Sequence, residues 1–290
     1  MATIRLKEPA VLEISNEQIK QFEEDGVICL RGVIPPHWVE HLREATDGVL
    51  AAQAEDIRDT GGTGSFRMSL DMWLRDEGFR RYALEGPSAA IAQALMCGSP
   101  VTLFADQLFV KEPGTSTPTP WHQDQTYWPV VGEQIFTVWV PMDTVTKESS
   151  GLEYIKGSHR WGRKFKPQGL GDGDLSWMAA PEEENIPDID AERGKYEFLS
   201  WDMEPGDALI HHSLAVHGAG GNRSQANRRR AVATRWCGED AFFRPKAIYT
   251  PELTGLAAGE QVSHAKTLFP PVPLPEGRKL PEDYWAGVEL

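Results

Sequence analysis

The rhythm of apolar and polar positions changes near residue 100 of the chain. Before that point the pattern is mostly helical. Ser15 and Gln18 form a capping box, Ile19 and Phe22 supply an apolar stripe, and Gly26 ends the helix. VICLRGVI, from Val27 to Ile34, reads as a buried strand, and Pro35-Pro36 opens a second helix running to about Ala54. Gly61 to Gly64 mark a loop, and a third helix is expected from about Ser88 to Met96. From Val101 onward, short runs of strand length take over: VTLFADQLFVK, QIFTVWVPM, GLEYI, YEFLSW, DALIHHSLAVH and RRAVATRW. Pro113-Gly114, Lys156-Gly157, Pro205-Gly206 and Gly220-Gly221 punctuate them.

Many short strands with few intervening helices indicate a mainly β fold with flanking helices, a sandwich or jelly roll rather than a doubly wound sheet. The expected layout is a single domain over residues 1–290. It has a helical flank over about 15–96, a barrel core over about 101–240 and an extended, proline-rich tail over about 265–290. The glycines of Gly169 to Asp174 lack the spacing and the strand-to-helix setting of a dinucleotide fingerprint. The acidic segment Pro181 to Gly194 reads as a solvated insertion, and the loops Asp56 to Met72 and Gly162 to Gly194 are candidate lids.

Charge and cysteine content narrow the function. A formal net charge of -14 argues against a general binder of nucleic acid or anionic membrane, both of which need clustered Lys and Arg. Cys29, Cys97 and Cys237 are scattered and form no CxxC pair, so a reducing compartment is expected. No run is long and apolar enough to span a membrane, and neither end carries a recognised address, which makes cytoplasmic the default. The expected partner is a small-molecule substrate, with no nucleic acid and no membrane.

The most informative stretch is TPWHQDQTYWP. His122 and Asp124 stand at i and i+2, which on a strand project from one face. An imidazole nitrogen and a carboxylate oxygen so placed can bind adjacent corners of an octahedral metal. A second imidazole from a distant strand completes a facial triad, leaving three positions for substrate-derived ligands and O2. His37 and His41 share a helical face but lack an HExxH frame and a third ligand, and they read as packing residues. His211, His212 and His217 all lie in or just after one apolar run. His217 precedes a glycine-rich turn and then Arg228-Arg229-Arg230, which supply a permanent cation suited to a carboxylate. His211 and His212 stay open as alternatives. Trp121, Tyr127, Trp128 and Trp139 cluster around the ligand segment and serve equally as cavity wall or core.

WHQD, SSGLEYIKGSHRWG, PGDALIHH and HGAGGNRSQANR, in this order and spacing, resemble the phytanoyl-CoA dioxygenase family of Fe(II)/2-oxoglutarate-dependent oxygenases. The resemblance spans roughly Phe22 to Trp236. It implies a double-stranded β-helix, a cupin-like jelly-roll barrel with iron inside one end, and a dioxygenase that consumes 2-oxoglutarate and O2 and releases succinate and CO2. It implies His122, Asp124 and His217 as the metal ligands and catalytic centre. It places the far carboxylate of 2-oxoglutarate on Arg228, eleven residues past the distal histidine, although alternation puts Arg228 and Arg230 on one strand face and Arg229 on the other. Gln107 and Trp139 match positions that line the co-substrate pocket. Ala219 stands where a relative has a co-substrate-binding serine. Asp124 occupies the position that related halogenases leave small for chloride, so the resemblance implies hydroxylation, or a desaturation or cyclisation, over halogenation.

Overall fold

The computed structural model describes residues 14–52, 58–59, 62–96, 100–169, 173–246, 251–265 and 269–272. The first helix, α1 (Asn16–Asp25), is capped at both ends as its sequence demands. Ser15 and Gln18 exchange side-chain and backbone bonds, and Gly26 closes the helix with a left-handed φ of 78°. A Cβ at Gly26 would also lie 2.3 Å from Nδ1 of His159, so glycine is required twice over. The chain then forms β1 (Val27–Leu30) and α2 (Pro36–Ala51). β1 stops four residues earlier than the apolar run because Asp207 pulls Arg31 and Gly32 into a turn, bonding the Arg31 guanidinium at 2.7 Å and the Gly32 N–H at 3.0 Å. Next come β2 (Arg58–Asp59), β3 (Phe66–Leu70), α3 (Met72–Arg75), α4 (Glu77–Glu85) and α5 (Ser88–Leu95). β3 sits inside the candidate lid Asp56 to Met72 and pairs with β4, so this part of the segment is sheet. Cys97 and most of the tail lie outside the described residues.

The β region continues with β4 (Val101–Lys111), β5 (Thr119–His122), β6 (Val130–Val131), β7 (Ile135–Pro141), β8 (Leu152–Ile155) and β9 (Phe198–Leu199). It ends with β10 (Ala208–His212), β11 (His217–Ala219), β12 (Arg229–Cys237) and β13 (Phe242–Phe243), followed by α6 (Pro251–Thr254) and β14 (Pro271–Val272). A major antiparallel sheet runs β1-β10-β7-β12-β4-β3-β2 with β14 added to β4, and a minor one runs β5-β11-β8-β9. DALIHHSLAVH, one apolar run in sequence, is two strands in space. Residues 213–216 turn a corner that carries the chain from the major sheet (β10) to the minor sheet (β11).

Alternation then sorts the side chains of the major sheet. Leu108, Val110, Val138, Val140, Ile210, Val232 and Trp236 face outward and pack beneath α1 to α5. Val27, Trp139, Leu209, Ala231 and Ala233 face inward, where they meet Leu152, Tyr154 and Ala219 of the minor sheet. This two-sheet closure, flanked by helices on one side, is a double-stranded β-helix of the jelly-roll type. No helix among the described residues is long and apolar enough to cross a membrane.

Candidate metal centre

β5 ends at His122, and Asp124 opens a 3-10 turn (Asp124–Thr126) instead of extending the strand. Gln123 between them is still extended (φ -117°, ψ 131°), so His122 and Asp124 project to the same side. The Gln123 side chain locks this segment from behind. Its amide donates to the carbonyls of Arg163 and Leu214 at 3.1 and 3.0 Å and accepts from the Phe165 N–H at 3.0 Å. His217 opens β11 directly opposite His122 in the β5-β11 ladder, with the two ring centroids 4.1 Å apart. The donor atoms of His122, Asp124 and His217 all lie within 4.8 Å of one another.

Hydrogen bonds on the outside of this cluster decide which atoms face in. Nδ1 of His122 donates to the Pro120 carbonyl at 2.8 Å and Nδ1 of His217 to the Ala215 carbonyl at 3.0 Å. Each ring therefore presents the lone pair of Nε2 to Asp124 Oδ1, at 3.4 and 4.0 Å. The other oxygen, Oδ2, accepts from Thr137 Oγ1 at 3.0 Å and from His211 Nε2 at 3.1 Å, and Tyr154 O–H donates to His211 Nδ1 at 3.0 Å. Two imidazole nitrogens and one carboxylate oxygen thus converge, each side chain oriented by a further partner. That donor set fits a divalent transition metal with an open face.

The electrostatics agree. Burial opposes the charge on Asp124, but the imidazole of His122 beside it and that of His211 bonded to it, with His217 nearby, hold its carboxyl well below the usual range. Burial, then the neighbouring His122 and His211, pushes His217 well below the usual imidazole value, so it is neutral as a ligand must be. His211 is likewise lowered, first by burial. Desolvation drives the Tyr154 phenol well up, so it stays a donor.

The remaining expected residues separate into those the fold brings inward and those it does not. In the ladder, Ala233 of β12 pairs with Gln107 of β4 on one side and Trp139 of β7 on the other, so these three form one inward-facing row. Arg228 does not face the barrel interior. It is part-exposed, with Nε bonded to Glu112 at 2.8 Å and Nη1 near Asp47 at 3.6 Å. Arg230 also faces out, to Asp143 and Asp47. Arg229 is the inward one, 3% exposed, with Nη2 on Ser150 Oγ at 3.2 Å and its guanidinium 5.8 Å from the Trp139 ring. Spacing from His217 runs through an irregular turn that carries no orientation, whereas the β12 ladder, pairing Arg229 with Lys111, does.

Lys111, Ser150, Thr137, Tyr154 and Arg229 escaped sequence reasoning as site residues. Only the inner-face period of β12, Arg229-x-Ala231-x-Ala233, could have found one of them. His211 points in but serves Asp124 rather than the metal position, and His212 on the opposite face accepts from the Leu214 N–H at 3.0 Å. His41 packs on Trp38 and bonds the Gly78 carbonyl, as expected for a helix residue. Of the aromatic group, Trp139 lines the interior, Trp121 packs on Phe198 and Trp128 on Phe104.

Fold and donor set together define a jelly-roll barrel in which two histidines and one carboxylate could hold a metal ion. The pattern of the family described as Phytanoyl-CoA dioxygenase (PhyH) matches residues 22–231, and the chain belongs to this family of Fe(II)/2-oxoglutarate-dependent oxygenases. It is 22% identical over 243 residues to the peroxisomal phytanoyl-CoA dioxygenase of Homo sapiens, covering 78% of this chain and 69% of the human enzyme. Among solved structures, the non-haem α-ketoglutarate-dependent carbocyclase SnoK from nogalamycin biosynthesis shares the fold with a TM-score of 0.70. It is 24% identical, covering 89% of this chain and 96% of SnoK. The epimerase SnoN, solved with Fe3+, α-ketoglutarate and nogalamycin RO, has a TM-score of 0.67 and 25% identity, covering 87% and 96% of the two chains.

Proposed function

We propose that this protein binds Fe(II) through His122 Nε2, Asp124 Oδ1 and His217 Nε2. With 2-oxoglutarate and O2 as co-substrates it oxidises a C–H bond of a small organic metabolite, and hydroxylation is the simplest outcome. The carrying observation is the outward hydrogen bonding of all three side chains, which leaves three donor atoms facing one another. Bound iron would supply the site where O2 is activated and 2-oxoglutarate is converted to succinate and CO2.

The protein's own part is to hold the co-substrate and keep the cavity dry. Arg229 takes the anchoring role that spacing gave to Arg228. It lies beside Lys111, and neither cation has a carboxylate within ion-pair distance among the described residues. Burial pushes the Arg229 guanidinium down to about 10, and burial with Arg229 as neighbour lowers Lys111 well below the usual lysine value. A far carboxylate placed between them relieves that cost and gains charge-assisted bonds. Ser150 braces both cations. Its hydroxyl donates to the Gly220 carbonyl at 2.6 Å and accepts from Lys111 at 3.0 Å and from Arg229, and its φ of 72° is held in the left-handed region to do so. Thr119, paired with Ala219 in the ladder, accepts from Lys111 and places a hydroxyl beside a position that lacks one of its own. Trp139 and Tyr154 wall the space between.

Residence in the cytoplasm belongs to the same reading and rests on the scattered thiols. The test of the chemistry is anaerobic addition of Fe(II) and 2-oxoglutarate. Wild type should develop a weak visible charge-transfer band, and Asp124→Ala should lose it. A wild type without the band, or an undiminished band in Asp124→Ala, would overturn the assignment.

A further inference from the structure

The inner face of β12 reads Arg229, Ala231, Ala233, Arg235, two cations separated by two small residues. Arg229 is accounted for at the far end of the cavity. Arg235 is not. It is 4% exposed, its Nη2 donates to Gln107 Oε1, and its guanidinium lies 5.0 Å from the Trp128 ring centroid. Its Nε and Nη1 have no hydrogen-bond partner, and no carboxylate lies within ion-pair distance of it among the described residues. Asp106, on β4, feels its charge, but Asp106 Oδ1 accepts from the Trp73 N–H at 3.1 Å. Burial raises the Asp106 carboxyl to about 7, so it offers only a partial counter-charge at neutral pH.

The ladder fixes where this cation sits. Arg235 pairs with Thr137 of β7, Thr137 bonds Asp124, and the next strand in the same row carries His211, which also bonds Asp124. Arg235 is therefore level with the metal triad, six residues along β12 from the co-substrate anchor. A buried guanidinium with two unpartnered nitrogens is unfavourable in the free protein and is stabilised when an anion arrives. Arg229 already offers a cation for the far carboxylate of 2-oxoglutarate, so the charge of Arg235 exceeds what that carboxylate needs.

We propose that Arg235 is the substrate-recognition cation, and that the molecule oxidised here carries a carboxylate close to the reacting carbon. Gln107 holds the guanidinium in place and Trp128 backs it with a flat apolar face. This rests on the iron and 2-oxoglutarate reading above and adds the class of the primary substrate.

The experiment uses protein loaded with Fe(II) and saturating 2-oxoglutarate, and a set of small carboxylic acids each matched with its primary amide. Succinate release is followed in air, and perturbation of the visible band is followed without oxygen. In wild type, stimulation and band perturbation should favour acids over their amides by at least tenfold. Arg235→Gln should erase that ratio while the band formed with Fe(II) and 2-oxoglutarate alone is unchanged, which separates this test from that of the iron site. Arg235→Met, which keeps the volume, should unfold at the same temperature as wild type or higher. Stimulation by amides equal to that by acids, an acid preference unaltered in Arg235→Gln, no acid preference in either readout, or a drop of several degrees in Arg235→Met would each overturn the proposal.

Discussion

The two faces of β12 follow different rules. The outward face, with Val232, Thr234 and Trp236 all 0% exposed, is packed beneath the flanking helices, and its polar atoms are matched: Trp236 Nε1–H donates to Thr234 Oγ1 at 3.0 Å. The inward face carries two buried arginines with open N–H groups and two alanines that fill little space. The same nine-residue strand thus spends one side on cohesion and leaves the other side unfinished. A face kept polar, small and unpaired at a thermodynamic cost marks where ligands complete the structure.

Substitutions can break or sharpen that contrast. The largest effect belongs to the outer face. Trp236→Ala should lose about 3–5 kcal/mol of stability in denaturant unfolding, the usual cost of emptying a large aromatic site. Arg229→Met should do the reverse. It should weaken 2-oxoglutarate binding by about 2–3 kcal/mol, measured by titration of the visible band, with stability unchanged or raised. Arg228→Met should change that affinity by less than about threefold, since exposed ion pairs contribute little. Equal losses from the two substitutions would show that the inward assignment of Arg229 is wrong.

A smaller effect tests how the candidate metal ligands are oriented by Tyr154 and His211. Tyr154→Phe removes the donor to His211 and should weaken Fe(II) binding about tenfold with little change in unfolding midpoint. The smallest concerns the turn that ends β1. Burial opposes ionisation of Asp207, but bonds from the Glu204 and Gly32 N–H groups and from Arg31 leave its carboxyl below the usual value. A folded-state pKa below the unfolded one of about 3.9 contributes stability above that pH and loses it as pH falls through the folded value. Asp207→Asn should therefore cost about 1 kcal/mol at pH 7, with the difference from wild type shrinking below about pH 4.

The fold was legible wherever periodicity and caps agree. The α1 capping box, the eleven-residue β4 run and the jelly-roll texture all read directly from sequence. The short helices α3 and α4 were not seen, although Asp76 accepting from the Phe79 N–H is a visible cap, because α3 is only a single turn long. The apolar run through His217 hid a corner between sheets, since hydrophobicity says nothing about which sheet a strand joins. For the site, His122 and Asp124 come from local spacing and converge with His217 in space. Arg229 was missed because its orientation is set by pairing with Lys111 across the ladder rather than by distance from His217. His211, Thr137 and Tyr154 act through Asp124, and such relations between remote residues leave no local signature.

The run Arg228-Arg229-Arg230 at the mouth of β12 also bears on how this protein can change over time. Strand registry decides which of the three points inward, and the glycine-rich turn before it is where insertions and deletions are tolerated best. A slip of the strand by one residue would turn Trp236 inward and Arg235 outward, so the packed outer face holds the register while the turn varies in length. Changes in the length of the hairpin are thereby absorbed in the loop, and Arg229 stays the inward guanidinium.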